Sequence, residues 1–208
     1  EQIPEQERPA KPEEGPAAGA MNFLLAGTDR RSDRATTGDQ AGADTWLPGA
    51  QRSDTIIILR ITPAGAAMMS IPRDLWVEIA DTGEMGRING AYNRGPANLV
   101  RTLKNNLEVP VNHYMEVGFG SFVGLVDAIG GVTINFPNPV YDPGSGLNVT
   151  TAGDVTLDGQ QALAYARARN YTEIIDGEEV KEPTADLGRQ QRQQNFLRAV
   201  LRKTLPGS

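Results

Sequence analysis

The order of strand-like and helix-like segments along this chain predicts an α/β protein, a three-layer α/β/α sandwich around a central mixed, largely antiparallel sheet. Short β-branched runs separated by tight proline and glycine breaks fill the first half. Two helical segments alternate with further strands. A long amphipathic helix closes the chain. With 208 residues and 39% hydrophobic content, the chain is large enough for one substantial core. A single domain over residues 21–208 is therefore expected, behind a linker.

The linker is residues 1–20, which hold five glutamates, four prolines and almost no large apolar side chain. Residues 21–27 are an apolar run ending in glycine and read as a buried strand. Residues 28–51 turn polar and glycine-rich, as a long loop. Three strands are expected at 54–61, 66–71 and 75–80, as antiparallel neighbours across the breaks Thr62-Pro63-Ala64-Gly65 and Pro72-Arg73-Asp74. Residues 96–108 carry Leu99, Val100, Leu103 and Leu107 at helical spacing. A strand at 111–117, a mostly apolar helix at 119–129 and a strand at 132–136 follow. Residues 140–153 read as a loop and 158–164 as the start of a helix. The next residues, Tyr165-Ala166-Arg167-Ala168-Arg169, share a face for the two arginines only if they are extended. A polar insertion spans 170–185, and a helix over 187–203 ends the domain.

Composition excludes several chemistries. Cysteine is absent, which removes disulfides, thiolate metal sites and cysteine nucleophiles. The one histidine, His113, lies in the strand-like Val-Asn-His-Tyr-Met-Glu-Val, where a packed residue is the simpler reading than a catalytic one. No Gly-x-Ser-x-Gly elbow supports a serine hydrolase. A net charge of −6 argues against a broad nucleic-acid surface, and no nucleic-acid partner is expected. No stretch approaches the roughly 20 apolar residues of a membrane span. Sixteen of the 20 basic residues are arginine, which suits phosphate recognition but also follows from a GC-rich genome.

Position favours recognition, because arginines and aspartates recur at element ends, where open α/β folds build ligand sites. Asp29-Arg30 follows the first strand, Arg52-Ser53-Asp54 opens the second, and Arg73-Asp74 follows the third. Arg167 and Arg169 end another element, and Asp186, Arg189, Arg192 and Gln193 open the last helix. Arginines gathered in one place repel, so an anion is the natural partner, and a pyrophosphate diester offers two charges and many acceptor oxygens. The start of the last helix adds backbone N–H groups and a positive dipole. Asp186 reads either as its N-cap or as a catalytic group. Asp29 and Asp54 are candidate Mg²⁺ ligands, with Mn²⁺ an alternative, although Asp54 could equally serve backbone donors at a strand start. The apolar helix at 119–129 reads either as buried core or, beside Gly120 and Gly124, as one wall of a slot for an apolar chain that Phe122 and Val126 would line.

In order, Asn22-Phe23-Leu24-Leu25-Ala26-Gly27-Thr28-Asp29, Arg52-Ser53-Asp54-Thr55-Ile56, Ser70-Ile71-Pro72-Arg73-Asp74 and Arg87-Ile88-Asn89-Gly90-Ala91-Tyr92 resemble the first half of a LytR-CpsA-Psr domain. Phe122-Val123-Gly124-Leu125-Val126-Asp127-Ala128-Ile129-Gly130-Gly131-Val132, Leu157-Asp158-Gly159-Gln160-Gln161-Ala162-Leu163-Ala164-Tyr165-Ala166-Arg167-Ala168-Arg169 and Asp186-Leu187-Gly188-Arg189-Gln190-Gln191-Arg192-Gln193 resemble the second half. The resemblance implies a Mg²⁺-dependent phosphotransferase on the extracytoplasmic face of the cell membrane, held there by an N-terminal membrane anchor that this sequence lacks. It would move a glycopolymer (arabinogalactan, teichoic acid or capsular) from a polyprenyl-pyrophosphate carrier to peptidoglycan. Arginine-rich and alanine-rich usage points to a Gram-positive actinobacterium. By motif, Asp29 and Asp54 would hold Mg²⁺. Arg52, Arg73, Arg167, Arg169, Arg189 and Gln193 would bind the pyrophosphate, with Arg30 and Arg87 close by. A lipid-phosphate binding protein without transfer is the alternative. The insertion at 170–185 is longer than the family's usual pattern.

Overall fold

The computed structural model describes residues 19–28 and 53–204, which fall into two compact units, Glu1–Phe119 and Gly120–Ser208. One shared core was expected; instead, each unit has its own cluster of buried apolar side chains. The expected linker lies almost wholly outside the described residues, as does the expected loop at 29–51.

The first unit is built on a four-stranded sheet in the order β3-β2-β1-β6. Its strands are β1 (Met21–Thr28), β2 (Ser53–Thr62), β3 (Gly65–Ile71) and β6 (His113–Gly118). β2 runs antiparallel to both β1 and β3, whereas β6 is parallel to β1. The mixed, largely antiparallel sheet expected from the sequence is thus present. Ile56, Ile57, Ile58 and Leu59 of β2 are all buried, as in a strand covered on both faces. In β1 the buried side chains alternate through Asn22, Leu24, Ala26 and Thr28. The ladder passes from Gly27 opposite Thr55 to Thr28 opposite Ser53, so that Asp54 is skipped at a bulge. His113, exposed at the start of β6, stacks on Phe23 with ring centroids 4.8 Å apart.

Residues 75–80 do not add a strand to this sheet. Leu75 N–H donates to the Pro72 carbonyl (3.0 Å), turning the chain. The short β4 (Trp76–Glu78) then pairs only with β5 (Met85–Arg87) as a separate antiparallel ribbon. A 3₁₀ helix (Ile88–Arg94) leads into α1 (Pro96–Leu107), which begins on proline as helices favour. α1 buries Leu99, Val100 and Leu103.

The second unit contains α2 (Phe119–Ala128, whose first residue closes the first unit), α3 (Gly159–Arg167) and α4 (Asp186–Thr204). β7 (Val132–Phe136) pairs antiparallel with β10 (Gly153–Leu157). A second sheet runs β12-β11-β8-β9. The expected loop at 140–153 contains the hairpin β8 (Val140–Asp142) and β9 (Leu147–Val149). The polar insertion at 170–185 contains another, β11 (Thr172–Ile175) and β12 (Glu178–Lys181), and β11 pairs with β8. Its turn residues Asp176 and Gly177 have φ of 52° and 86°, the left-handed pair that an Asp-Gly hairpin turn requires.

Two of the motifs join at the helix starts. Asp158 caps α3 by accepting from Gln161 N–H (2.8 Å), and Asp127 of α2 accepts from Gly159 N–H (2.7 Å). A side chain at Gly159 would collide with the backbone of Val123, so glycine is needed for α3 to meet α2 this closely.

Candidate functional site: two arginine–aspartate clusters

In the first unit the reversal at Pro72 presents Arg73 and Asp74 next to β5. The Arg73 carbonyl accepts from Asn89 N–H (3.1 Å) and the Leu75 carbonyl from Ile88 N–H (2.9 Å), so the motifs around Arg73 and Arg87 are stitched through backbone. Asp74 then faces both arginines: Arg73 Nε lies 3.4 Å from one carboxylate oxygen and Arg87 Nη1 3.5 Å from the other. The Arg87 side chain is 65% exposed.

Across the parallel strands β1 and β6 runs a polar chain that the sequence reading missed. Thr28 Oγ1 donates to Glu116 Oε1 (3.2 Å), and the Tyr114 hydroxyl donates to Glu116 Oε2 (3.1 Å). Burial, then the neighbouring Tyr92 and Glu116, push the Tyr114 phenol far above its ordinary value, so it stays a donor.

In the second unit Asp186, at the start of α4, faces two guanidiniums in the same manner. Arg169 Nε and Arg189 Nη2 each lie 3.5 Å from its Oδ1. Arg189 is buried, with only 6% of its side chain exposed. Behind this trio the chain is held by its own backbone groups. Arg192 Nη2 donates to the Ala168 carbonyl (2.7 Å) and Gln193 Nε2 to the Ala166 carbonyl (3.1 Å). Arg192 Nη1 also pairs with Glu182 (2.7 Å), and its guanidinium lies 4.5 Å over the Tyr171 ring. Burial, then Tyr165 and Glu173, push the Tyr171 phenol upward. The Glu182 carboxylate packs so tightly on the first turn of α4 that a side chain at Gly188 would collide with it.

The expected site residues therefore divide into groups. Asp29, Arg30 and Arg52, and the side chain of Asp54, lie outside the described residues. Arg73 and Arg87 meet on Asp74, and Arg169 and Arg189 meet on Asp186. Arg167 is exposed at the end of α3. An extended 165–169 was the condition for Arg167 and Arg169 to share a face; instead α3 runs through Arg167, and the chain leaves the helix at Ala168, with φ −56° and ψ 127°. Arg192 was expected to bind substrate but is committed to Glu182, Ala168 and Tyr171. Its position three residues beyond Arg189 keeps the two on one face, and spacing alone does not tell their partners apart. Gln193 likewise serves a backbone carbonyl.

Of the two residues expected to line a slot, Val126 is core and Phe122 is half-buried, its ring tilted on Phe196 at 5.0 Å. Most of α2 is not buried: Leu125 is 56% exposed, and a side chain at Gly124 would meet open space. The fully buried reading of this helix is thus corrected. Among the described residues no group of three or more histidine, aspartate or glutamate side chains is placed to hold a metal ion, and no helix is long and apolar enough to cross a membrane.

A profile of the LytR_cpsA_psr family matches residues 2–206. The chain belongs to the LytR_cpsA_psr family. Among its relatives, polyisoprenyl-teichoic acid--peptidoglycan teichoic acid transferase TagU of Bacillus mycoides is 36% identical over 165 residues, 78% of this chain and 50% of that protein. The enzyme of the same name from Enterococcus faecalis is 34% identical over 192 residues, 89% of this chain and 54% of its own length. The chain thus spans about half the length of these curated relatives. Among LytR_cpsA_psr structures, a LytR-Csp2A-Psr enzyme from Actinomyces oris has a TM-score of 0.69 at 28% identity, covering 94% of this chain and 67% of that one. YwtF (TagT) with bound octaprenyl pyrophosphate lipid has a TM-score of 0.64 at 26% identity, covering 95% and 70%.

Proposed function

We propose that this LytR_cpsA_psr domain is a phosphotransferase that moves a glycopolymer from a polyprenyl-pyrophosphate carrier to peptidoglycan at the outer face of the cell membrane. The observation that carries the reading is the gathering of arginine pairs, Arg73 with Arg87 and Arg169 with Arg189, each pair on one aspartate. Guanidinium groups so oriented present planar N–H donors to phosphate oxygens. The name of TagU and the octaprenyl pyrophosphate in the TagT structure support the same substrate class.

In the reaction, a hydroxyl of the wall glycan attacks the phosphorus attached to the transferred sugar. The bond from that phosphorus to the bridging oxygen breaks, polyprenyl phosphate leaves, and a phosphodiester remains. The hydroxyl proton passes to the departing polyprenyl phosphate, which leaves as its monoanion. Arginines stabilise charge on the transferring phosphoryl group, so catalysis is mostly orientation and electrostatics. Asp74 and Asp186 hold the guanidiniums in place. Asp29 and Asp54 are proposed to hold Mg²⁺, a hard ion that would neutralise phosphate charge. In support, the residues immediately before them, Thr28 and Ser53, are partners across the β1/β2 ladder. Arabinogalactan as the polymer and an actinobacterial source rest on composition alone.

The test is to incubate the protein with a prenyl-pyrophosphate-linked oligosaccharide and peptidoglycan fragments, with and without Mg²⁺. A phosphodiester-linked product that fails to form without metal, or with Asp29→Ala and Asp54→Ala, is the expected result. Lipid retention with no transfer under any condition would mean a binding protein instead.

A further inference from the structure

Asp142 is a buried carboxylate that the reaction above does not use. It ends β8 and is 1% exposed. A carboxylate taken out of water is costly unless its oxygens are met by donors. One oxygen accepts from Gly144 N–H at 2.8 Å, which closes the local Pro143-Gly144 turn. The other reaches 27 and 28 residues along the chain and accepts from the backbone N–H groups of both Arg169 (2.8 Å) and Asn170 (2.9 Å). The local turn does not need these two bonds. They fall on the segment where α3 ends and the backbone swings out of the helix at Ala168.

That segment is gripped from the opposite polarity as well. Arg192 and Gln193 of α4 donate to the carbonyls of Ala168 and Ala166. Arg192 is in turn fixed by Glu182 and by the Tyr171 ring. The carbonyls of Ala166 and Ala168 are therefore held by α4, and the amides of Arg169 and Asn170 by Asp142. The side chain carried between these grips is Arg169, which meets Asp186 and, through it, Arg189.

We propose that Asp142 is a positioning residue: its carboxylate fixes the backbone of Arg169 and Asn170 so that the Arg169 guanidinium is set beside Arg189 for binding a pyrophosphate group. The proposal rests on the phosphotransferase reading for its ligand, and on the two long-range backbone bonds for its mechanism. Asparagine would keep one acceptor oxygen but would turn an NH₂ donor toward an amide that needs an acceptor.

The experiment measures farnesyl pyrophosphate affinity of the whole chain for wild type, Asp142→Asn and Val132→Ala, the last a core truncation in β7 that touches none of the ion pairs of either arginine–aspartate cluster. At a temperature where circular dichroism finds all three folded, Asp142→Asn should weaken binding about 10- to 100-fold while Val132→Ala leaves it unchanged. Equal affinity of Asp142→Asn and wild type overturns the proposal, as does an equal loss in both variants, which would mark a merely structural role. Should Asp142→Asn fail to fold, amide exchange in wild type decides. Slow exchange at Arg169 and Asn170 supports the clamp, and exchange as fast as in the open chain refutes it. A wild type that binds no pyrophosphate would sink the phosphotransferase reading, and this proposal's ligand with it.

Discussion

The two arginine–aspartate clusters have the same composition and are built in different ways. Around Asp74, one arginine is its chain neighbour and the other comes from a two-stranded ribbon, and both Asp74 and Arg87 are largely open to solvent. Around Asp186, one guanidinium is buried, and the segment bearing the other is held by Asp142, Arg192 and Gln193. Exposed ion pairs are weak and tolerant, whereas a buried guanidinium depends on every partner around it. The contrast separates an adaptable cluster from a rigid one. Preorganised donors stabilise transition-state charge without reorganising, so the rigid cluster should carry more of the catalysis.

Four substitutions sharpen or break that contrast. The largest effect is expected for Arg189→Ala, with transfer falling about 10²- to 10³-fold in the glycan-transfer assay. A loss below tenfold would put the two clusters on an equal footing. Glu182→Ala should destabilise the second unit by about 2–4 kcal/mol in urea unfolding, because it leaves the Arg192 charge buried with no carboxylate.

Asp142 gives a pH signature. Burial raises its proton affinity, but the backbone N–H groups of Asn170, Arg169, Gly144 and Ser145 outweigh this and hold its carboxyl below the ordinary 3.8. A depressed native value means the stabilisation is fully present above the unfolded value and is lost as pH falls through the native one. The stability gap between wild type and Asp142→Asn should thus stay constant at neutral pH and narrow only below about pH 4. A gap that does not change with acid would show that the fold does not lower the proton affinity of Asp142, and a gap that widens would show that its carboxyl is protonated in the fold. The smallest effect is expected for Asp74→Asn, with stability changed by less than about 1 kcal/mol. Its transfer rate should fall less than in any variant of the Asp186 cluster.

Periodicity made much of the fold legible. The sheet strands β1, β2 and β3, the stripe of α1 and the closing α4 all lie within a residue or two of their expected bounds. The two hairpins of the second unit were missed because their strands are three or four residues long and partly polar, too short for alternation to register. Their turns did carry signals, Pro143-Gly144 and Asp176-Gly177. The arginines of the site were legible as residues at element ends, but their division of labour was not. Arg189 and Arg192 look alike on a helical face, and spacing does not foretell that Glu182 and Tyr171, brought up by the insertion, engage Arg192. Asp142 gave no sequence signal for its grip on Arg169, because backbone amides distant in the chain leave no residue pattern.

Titrating the whole chain with farnesyl pyrophosphate and with farnesol tests the central claim most directly. If the arginine clusters serve a pyrophosphate, the charged ligand binds far more tightly than the alcohol, and Arg73→Ala, Arg87→Ala, Arg169→Ala and Arg189→Ala together, a double substitution made in both clusters, abolish the difference. Equal affinity for the two ligands, or a preference that survives the four substitutions, would contradict the account.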